Sequence, residues 1–508
     1  MHHRGIAVAP LALCAACSLV YDVDNLPGRS DARVFDAAID APVDADPSML
    51  ALTSVEPASL LEGTGTGGRP ALLVLHGASI VDTAEVSVAF VDAVGVDAGV
   101  DAGAEQPMLA GFGATADGTL AGVAVRIPVI GDLHAGENRT LRVTLTQGAA
   151  QESVDVTVAG LEELTLAGPT AVSAATATPY SQIEITGKVH FTGADPVRLF
   201  ATGGIHLAAD LDGDAVGQEG GPHGCRGADQ QGAGGCTPGG GAAGGDAGVL
   251  GLTHGAGGGG GGFGAPGTAG NGTGGGTEGM ATGVETLVPI VSTAGTAGNR
   301  GNGGGGGGQG TLNAAGGAGG GGGGVIYLAA GGDITVDSGH TISAKGATAS
   351  GGSGGGGGGS GGAILIRAGG AITSTGAWLT APGGLATTGS QGPGGPGGVG
   401  RIRVDAAVGN VVAMATTPGA FRGPSWAAAT PSIATTAPTL TLVGQPGRAF
   451  GVRLNDQAQA DVTPGVDGTV AVTGLALRAG RNQICAVAQP GALVEESLSC
   501  VELFVASP

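Results

Sequence analysis

The chain lacks most of what equips a protein for catalysis or for holding nucleic acid. Only 12% of its 508 residues are charged and 3% are aromatic, with two Trp and three Tyr. Lysine occurs twice, as Lys188 and Lys345, and the formal net charge is -21. Phosphate backbones are held by clustered Lys and Arg, so a chain with no basic run is not built for nucleic acid. No run of about 20 apolar residues is available to cross a bilayer as a helix. The few aromatic rings offer no platforms for sugars, and no Gly-Lys-Ser/Thr closes a glycine run as a phosphate loop requires. Glycine keeps no strict three-residue period along the chain, which excludes collagen.

What is abundant is glycine, with 76 of the 110 residues lying between 211 and 400. Before that region the N-terminus has the form of an export signal. His2, His3 and Arg4 precede an apolar run of 11 residues, Ile6 to Ala16, too short for a membrane span and right for a signal core. The run ends in Cys14-Ala15-Ala16-Cys17-Ser18, which resembles the lipobox of bacterial lipoproteins although Cys14 stands where Leu is usual. The resemblance implies that residues 1–17 are removed up to an acylated Cys17. The partner would then be an outer-membrane lipid anchor, with Ser18 directing the protein to the outer membrane or cell surface. Residues 18–49 follow as a tether. Asp22, Asp24, Asp31, Asp36, Asp40, Asp44 and Asp46 alternate there with small residues and proline, a composition that repels itself and stays extended.

Export also predicts that the four remaining cysteines pair locally, Cys225 with Cys236 and Cys485 with Cys500. His223 beside Cys225 leaves a metal reading open for the first pair, but only three ligands are local and the bridge is the expectation.

The fold expected is all-β. Residues 50–160 alternate in period two at Leu72 and Val74, at Leu141, Val143 and Leu145, and at Val154, Val156 and Val158. Ser54-Val55-Glu56-Pro57-Ala58-Ser59, Leu61-Glu62-Gly63 and Gly136-Glu137-Asn138 resemble the opening and the later turn of IPT/TIG domains, which implies an immunoglobulin-like β-sandwich. Residues 432–508 alternate in the same way, and Leu477 to Cys485 resembles a strand entry of bacterial Ig-like repeats.

Between these modules, residues 165–422 carry a repeat. Ile326-Tyr327-Leu328, Ile364-Leu365-Ile366 and Ile402-Arg403-Val404 recur every 38 residues, each of the first two followed by a Gly-Gly turn and a second short strand. Val197 to Leu207 has the same shape, with Ile183, Ile185, Val189 and Phe191 before it as earlier rungs. One strand set per repeat, stacked so that neighbours bury what each alone cannot, predicts a parallel β-helix or β-solenoid. Runs such as 257–262, 303–308 and 354–359 then become long glycine loops on one side, packed as polyproline-II segments or left mobile. The pattern resembles glycine-rich repeat proteins of the surfaces of myxobacteria and related Gram-negatives, with Gly398 to Val404 as the closing rung.

Chemistry-bearing clusters are few. Asp210, Asp212 and Asp214 alternate around Gly213 and form the one Ca²⁺ candidate, with Glu219 as a further carboxylate; the acid at the twelfth position of an EF-type loop is missing. A polysaccharide lyase on a β-helix would need a base beside carboxylates, yet Lys188 and Lys345 are far apart in sequence, and the histidines are scattered. The expectation is therefore a non-enzymatic cell-surface lipoprotein with a structural or adhesive role toward a polysaccharide or protein surface. A lyase-like carbohydrate enzyme and an ice- or surface-binding protein are the alternatives.

Overall fold

The structure is a computed structural model that describes residues 50–91, 106–130, 133–168, 170–173, 178–230, 232–234, 256–272, 274–288, 299–307, 315–374, 376, 378–390, 392–406, 415–427, 431–490 and 498–507. Cys17, the acidic tether and Cys236 lie outside these residues. Every regular element among the described residues is a β-strand.

The first eight strands are β1 (Ala51–Glu56), β2 (Ser59–Leu61), β3 (Ala71–Ala78), β4 (Glu85–Val91), β5 (Met108–Ala114), β6 (Leu120–Arg126), β7 (Asn138–Gln147) and β8 (Ala150–Ala159). They form two four-stranded sheets, ordered β1-β3-β6-β5 and β2-β8-β7-β4. Leu73, Leu75, Val123 and Val125 from one sheet and Leu141, Val143, Leu145, Val156 and Val158 from the other are wholly buried in one core. Alternation is cleanest where one face stays wet. β3 departs from it because Leu72 and Val74, on its other face, are covered by Phe504 from the end of the chain.

The middle of the chain holds β9 (Leu164–Leu166), β10 (Thr170–Ser173), β11 (Ile183–Ile185), β12 (Val189–Thr192), β13 (Val197–Ala201), β14 (Ile205–Leu207), β15 (Leu211–Asp212), β16 (Val325–Ala330), β17 (Ile334–Val336), β18 (Thr341–Ser343), β19 (Ala363–Ala368), β20 (Ile372–Ser374), β21 (Trp378–Thr380), β22 (Arg401–Ala406), β23 (Ala415–Thr417) and β24 (Phe421–Arg422). They build three parallel sheets, in the orders β9-β11-β14-β17-β20, β10-β12-β15-β18-β21-β23 and β13-β16-β19-β22-β24. From β11 to β22 the chain visits the sheets in rotation, so each of these turns adds one strand to each. Equivalent residues therefore stack, with Ile326 beside Ile364 and Ile364 beside Ile402, and Ile205 beside Ile334 and Ile334 beside Ile372. These columns form the enclosed core, where burial of each large aliphatic side chain contributes roughly 1.5–3 kcal/mol. The row at Arg401–Ala406 does not close the stack as the sequence suggested, because β23 and β24 each add one more strand beyond it.

All the glycine-rich segments leave at one corner, between the second sheet and the third: 213–324 after β15, 344–362 after β18 and 381–400 after β21. Their described residues are bonded to one another through the backbone. Gly258 and Gly261 donate their N–H groups to Gly355 and Gly358, both at 2.9 Å, while Gly257 and Gly260 donate to Asn271 and Thr268. A step of three residues is the signature of polyproline-II geometry, which turns three times in nine residues and has no internal hydrogen bonds to satisfy its amides. Successive residues consequently face different neighbours. A Cβ on Gly257 would lie 1.9 Å from Pro393 O, one on Gly258 2.2 Å from Gly305 O, and one on Gly259 2.0 Å from Thr277 O. No face of such a row has room for a side chain. The outer face of the third sheet is covered in turn by Phe263 and Leu287 from the longest segment, which pack on Phe200, Tyr327 and Leu365.

The chain ends in β25 (Ser425–Trp426), β26 (Ile433–Ala434), β27 (Leu440–Val443), β28 (Gly451–Leu454), β29 (Gln457–Ala458), β30 (Thr469–Val472), β31 (Gly480–Val487) and β32 (Leu498–Val505). These form sheets β25-β27-β30 and β26-β32-β31-β28-β29 around a second aliphatic core. Cys485 and Cys500 are register partners on β31 and β32 and are disulfide-bonded, as the sequence predicted, with a Cα–Cα distance of 4.0 Å. Contacts tie the three regions together. Thr202 Oγ1 donates to Glu62 O at 2.6 Å, Arg69 Nη2 donates to Trp426 O and Ala427 O, and Gly122 leaves the space that the Phe504 ring fills.

Two outcomes follow from the packing. Gly358→Ala places a Cβ 2.1 Å from Gly384 O and lowers stability by about 1–3 kcal/mol, whereas Gly351→Ala, whose nearest neighbour is 3.9 Å away, stays within about 0.5 kcal/mol; thermal unfolding of the two variants compares them. Replacing Cys485 and Cys500 by Ser removes a 15-residue loop closure and costs about 3 kcal/mol in urea. Fluorescence of buried Trp426, whose Nε1 donates to Ser499 O, reports that transition.

Candidate functional site

One group of ionisable side chains lies on the outer faces of the first two sheets, over the earlier turns, while Arg198, Arg367, Arg401, Arg403 and Asp405 lie on the third. Inward residues of each strand are apolar, so every second residue faces out, and the parallel register sets these one above another. Lys188 and His190 come from the start of β12, Asp210 and Asp212 from β15 and the residue before it, Asp214 from just after it. Thr341 opens β18 and Lys345 stands two residues beyond its end. Asp212 Oδ2 lies 3.4 Å from His190 Nδ1 and 3.8 Å from Lys188 Nζ, and its Oδ1 accepts the Asp214 N–H at 2.8 Å. Asp214 Oδ1 accepts the Lys345 N–H at 2.6 Å, with Oδ2 3.6 Å from Lys345 Nζ. Asp210 Oδ1 accepts the Thr341 N–H at 2.9 Å and lies 3.5 Å from His340 Nδ1. Both lysines of the chain thus flank one acidic strip. Sequence spacing hid this, because the long segment inside one turn puts Asp214 and Lys345 131 residues apart. The 38-residue offset, extended upstream past that segment, was the signal available.

The three aspartates do not converge as a calcium loop would. Each is turned to a different partner on the neighbouring turns, and no group of three or more His, Cys, Asp or Glu among the described residues is arranged to hold a metal ion. The physical reason is the strand itself: residues two apart point the same way but stand some 6–7 Å apart, and the next turn supplies amides and ammonium groups closer than a shared cation. Glu219 faces Arg226 at 3.2 Å instead of this strip. Cys225 is buried, and His223 Nδ1 donates to Ala194 O at 3.0 Å, with burial pushing the imidazole below its ordinary value and so keeping it neutral.

Burial is also the main influence on Asp214. It pushes the carboxyl up from its ordinary 3.8, assisted by the Asp212 charge, while the Lys345 amide and ammonium pull the other way. The neighbouring outer column on the first sheet runs Glu184, His206, Thr335, Thr373. His206 Nε2 stands 3.1 Å from Asp337 Oδ1, and Thr373 Oγ1 donates to Thr335 Oγ1 at 3.2 Å. This column is thus mixed, with Glu184 and His206 followed by two threonines. Trp378, half-exposed, stands alone beside Thr341 on the second sheet.

A cavity of about 410 Å³ lies elsewhere, where the three regions meet. Arg69, Arg367, Asp405, Trp426, Arg481 and Glu502 line it, and none of the residues of the acidic strip does. Its acids are already engaged: Asp405 accepts from Arg403 Nε at 2.9 Å, and Glu502 pairs with Arg481. Asp212, Asp214, Lys188 and Lys345 sit on the outside of a sheet, away from that cavity. In comparisons with known proteins, no family model matches the chain and no curated protein is similar to it.

The raised titration of Asp214 has a definite sign. The folded state binds that proton more tightly than the unfolded chain, so stability from this group is gained as pH falls through its folded pKa toward 3.8 and is absent above it. The difference in unfolding free energy between wild type and Asp214→Asn, followed from neutral pH to pH 3.8, therefore shifts in favour of wild type on acidification. A flat difference curve would show that the site does not titrate in this way.

Proposed function

We propose that this chain is an exported, lipid-anchored cell-surface protein with a structural or adhesive role and no catalytic one. In this reading the three parallel sheets are a β-solenoid, the flanking β regions are immunoglobulin-like sandwiches, and Cys17 carries the acyl anchor at the end of the acidic tether. The observation that supports it most is the backbone-bonded glycine block. A body made of glycine rows tied to a stacked coil resists deformation while offering almost no side chains for chemistry, which suits a projecting scaffold. Its outer surface, with small side chains and the exposed Trp378, suits contact with a polysaccharide or protein surface by shape and hydrogen bonding. The acidic strip is internally paired with lysine and histidine, which supports a surface ladder in preference to a reacting centre.

Expression in a Gram-negative host tests the anchor. Wild type is expected in the outer-membrane fraction with an acyl adduct on Cys17, and Cys17→Ala is expected to lose the adduct and leave the membrane. Equal membrane retention of both proteins, with no adduct on the wild type, would overturn the proposal.

A further inference from the structure

Three glycine rows, 315–324, 353–362 and 392–400, occupy the same place on three successive turns. The 38-residue offset aligns Gly317, Gly320 and Gly323 with Gly355, Gly358 and Gly361, and these in turn with Pro393, Pro396 and Val399. In the first row the three aligned residues point their N–H groups forward into the next: Gly317 to Gly354 O at 2.8 Å, Gly320 to Gly357 O at 2.9 Å and Gly323 to Ser360 O at 2.8 Å. The second row repeats this, with Gly355 to Gly392 O at 2.9 Å, Gly358 to Gly395 O at 2.9 Å and Gly361 to Gly398 O at 3.0 Å. The forward positions also tolerate no Cβ, which would fall 2.1 Å from Ser350 O at Gly317, 2.1 Å from Thr387 O at Gly355 and 1.9 Å from Ala381 O at Gly361.

The third row breaks both rules at once. Proline has no N–H to donate, and its ring stands in the space that an incoming row would need. Pro393 and Pro396 are exposed, and the chain supplies no glycine row to follow, since only Pro418, Gly419 and Ala420 connect β23 to β24. Rows 315–324 and 353–362 contain no proline, so proline enters these forward positions only where the stack ends. A general liking of polyproline-II segments for proline would not select that row.

We infer that Pro393, Pro396 and Val399 seal the forward end of the glycine stack against a glycine row from a second copy of this chain. An unsealed end would present amides at a three-residue repeat of ~9 Å, matched by the chain's own rows. Such an end is the polyproline-II counterpart of a bare sheet edge, and addition there would be heterologous and open-ended, leading to fibres in place of closed dimers. Pyrrolidine rings remove that template while keeping the backbone angle that the row requires.

Analytical ultracentrifugation of the full chain tests this, comparing wild type with Pro393→Gly/Pro396→Gly across a concentration series. Two regained amide hydrogen bonds are expected to lower the dissociation constant for self-association by roughly tenfold or more, while wild type remains monomeric. Hydrogen exchange of the associated double variant should slow within 392–399. Should the double variant fail to fold, Pro396→Gly alone, at one exposed position, is read in the same way. The inference is overturned if folded variants sediment as wild type does, if they associate without added protection in 392–399, or if wild type itself associates through that segment.

Discussion

A hydrogen bond between two backbones that touch without an intervening Cβ is the constraint on which the central region rests. Ordering a residue costs about 1–2 kcal/mol of backbone entropy, and glycine loses more than any other residue. A glycine segment standing alone would therefore remain a flexible linker. Here rows 315–324, 353–362 and 392–400 run directly into β16, β19 and β22 of the coil. Adjacent strands in a sheet lie about 4.7–4.9 Å apart, and rows springing from consecutive turns inherit a separation at which backbone amides can reach one another. The coil sets the spacing, and the absence of side chains lets the rows use it. Either feature alone would leave the amides of Gly257 to Gly262 without their partners in 271, 268, 355 and 358.

That arrangement also explains the distribution of charge. Inside the turns the columns of Ile, Leu and Val leave no place for a charge, and within the glycine rows there is no side chain to carry one. Ionisable groups are consequently placed at outward positions of the three sheets, where Arg403 and Asp405 of the third form a buried pair, and in the turns between strands. On the sheets they pair between turns, as Lys345 does with Asp214 and His206 with Asp337. Partly exposed pairs of this kind contribute little to stability, commonly below about 1 kcal/mol, so their main consequence is to offset like-charge repulsion in an acidic protein.

The flanking β regions hold the coil from both sides of the sequence. The loop before β3 lies against its turns, and Phe504 crosses from the last strand to cover Leu72 and Val74. Glu285 in the longest glycine-rich segment pairs with Arg448, and Arg403 Nη1 donates to Thr286 O at 2.7 Å, so that this segment is tied to the coil and to the C-terminal region alike. The cavity where these parts meet is lined by residues of all three regions, among them Leu60, Arg367 and Trp426.

Local pattern was enough to determine the all-β class, the period-two strands, the bond between Cys485 and Cys500, and the stacking of Ile326, Ile364 and Ile402, because each depends on residues whose spacing repeats within one strand or one turn. The glycine runs could be recognised as loops leaving one side, but a run of identical residues carries no record of which neighbour each amide meets. Asp210, Asp212 and Asp214 looked convergent for the same reason: a sequence reports alternation along a strand and is silent about the amides of the next turn. Only the assembled coil decided that Asp214 meets Lys345 across 131 residues and that β23 and β24 extend the stack past Ala406. It also decided that Gly355 and Gly358, which the 38-residue offset aligns with Pro393 and Pro396, point their amides into the next row. Those relations run between turns, perpendicular to the chain, and so depend on three-dimensional register and not on neighbouring letters.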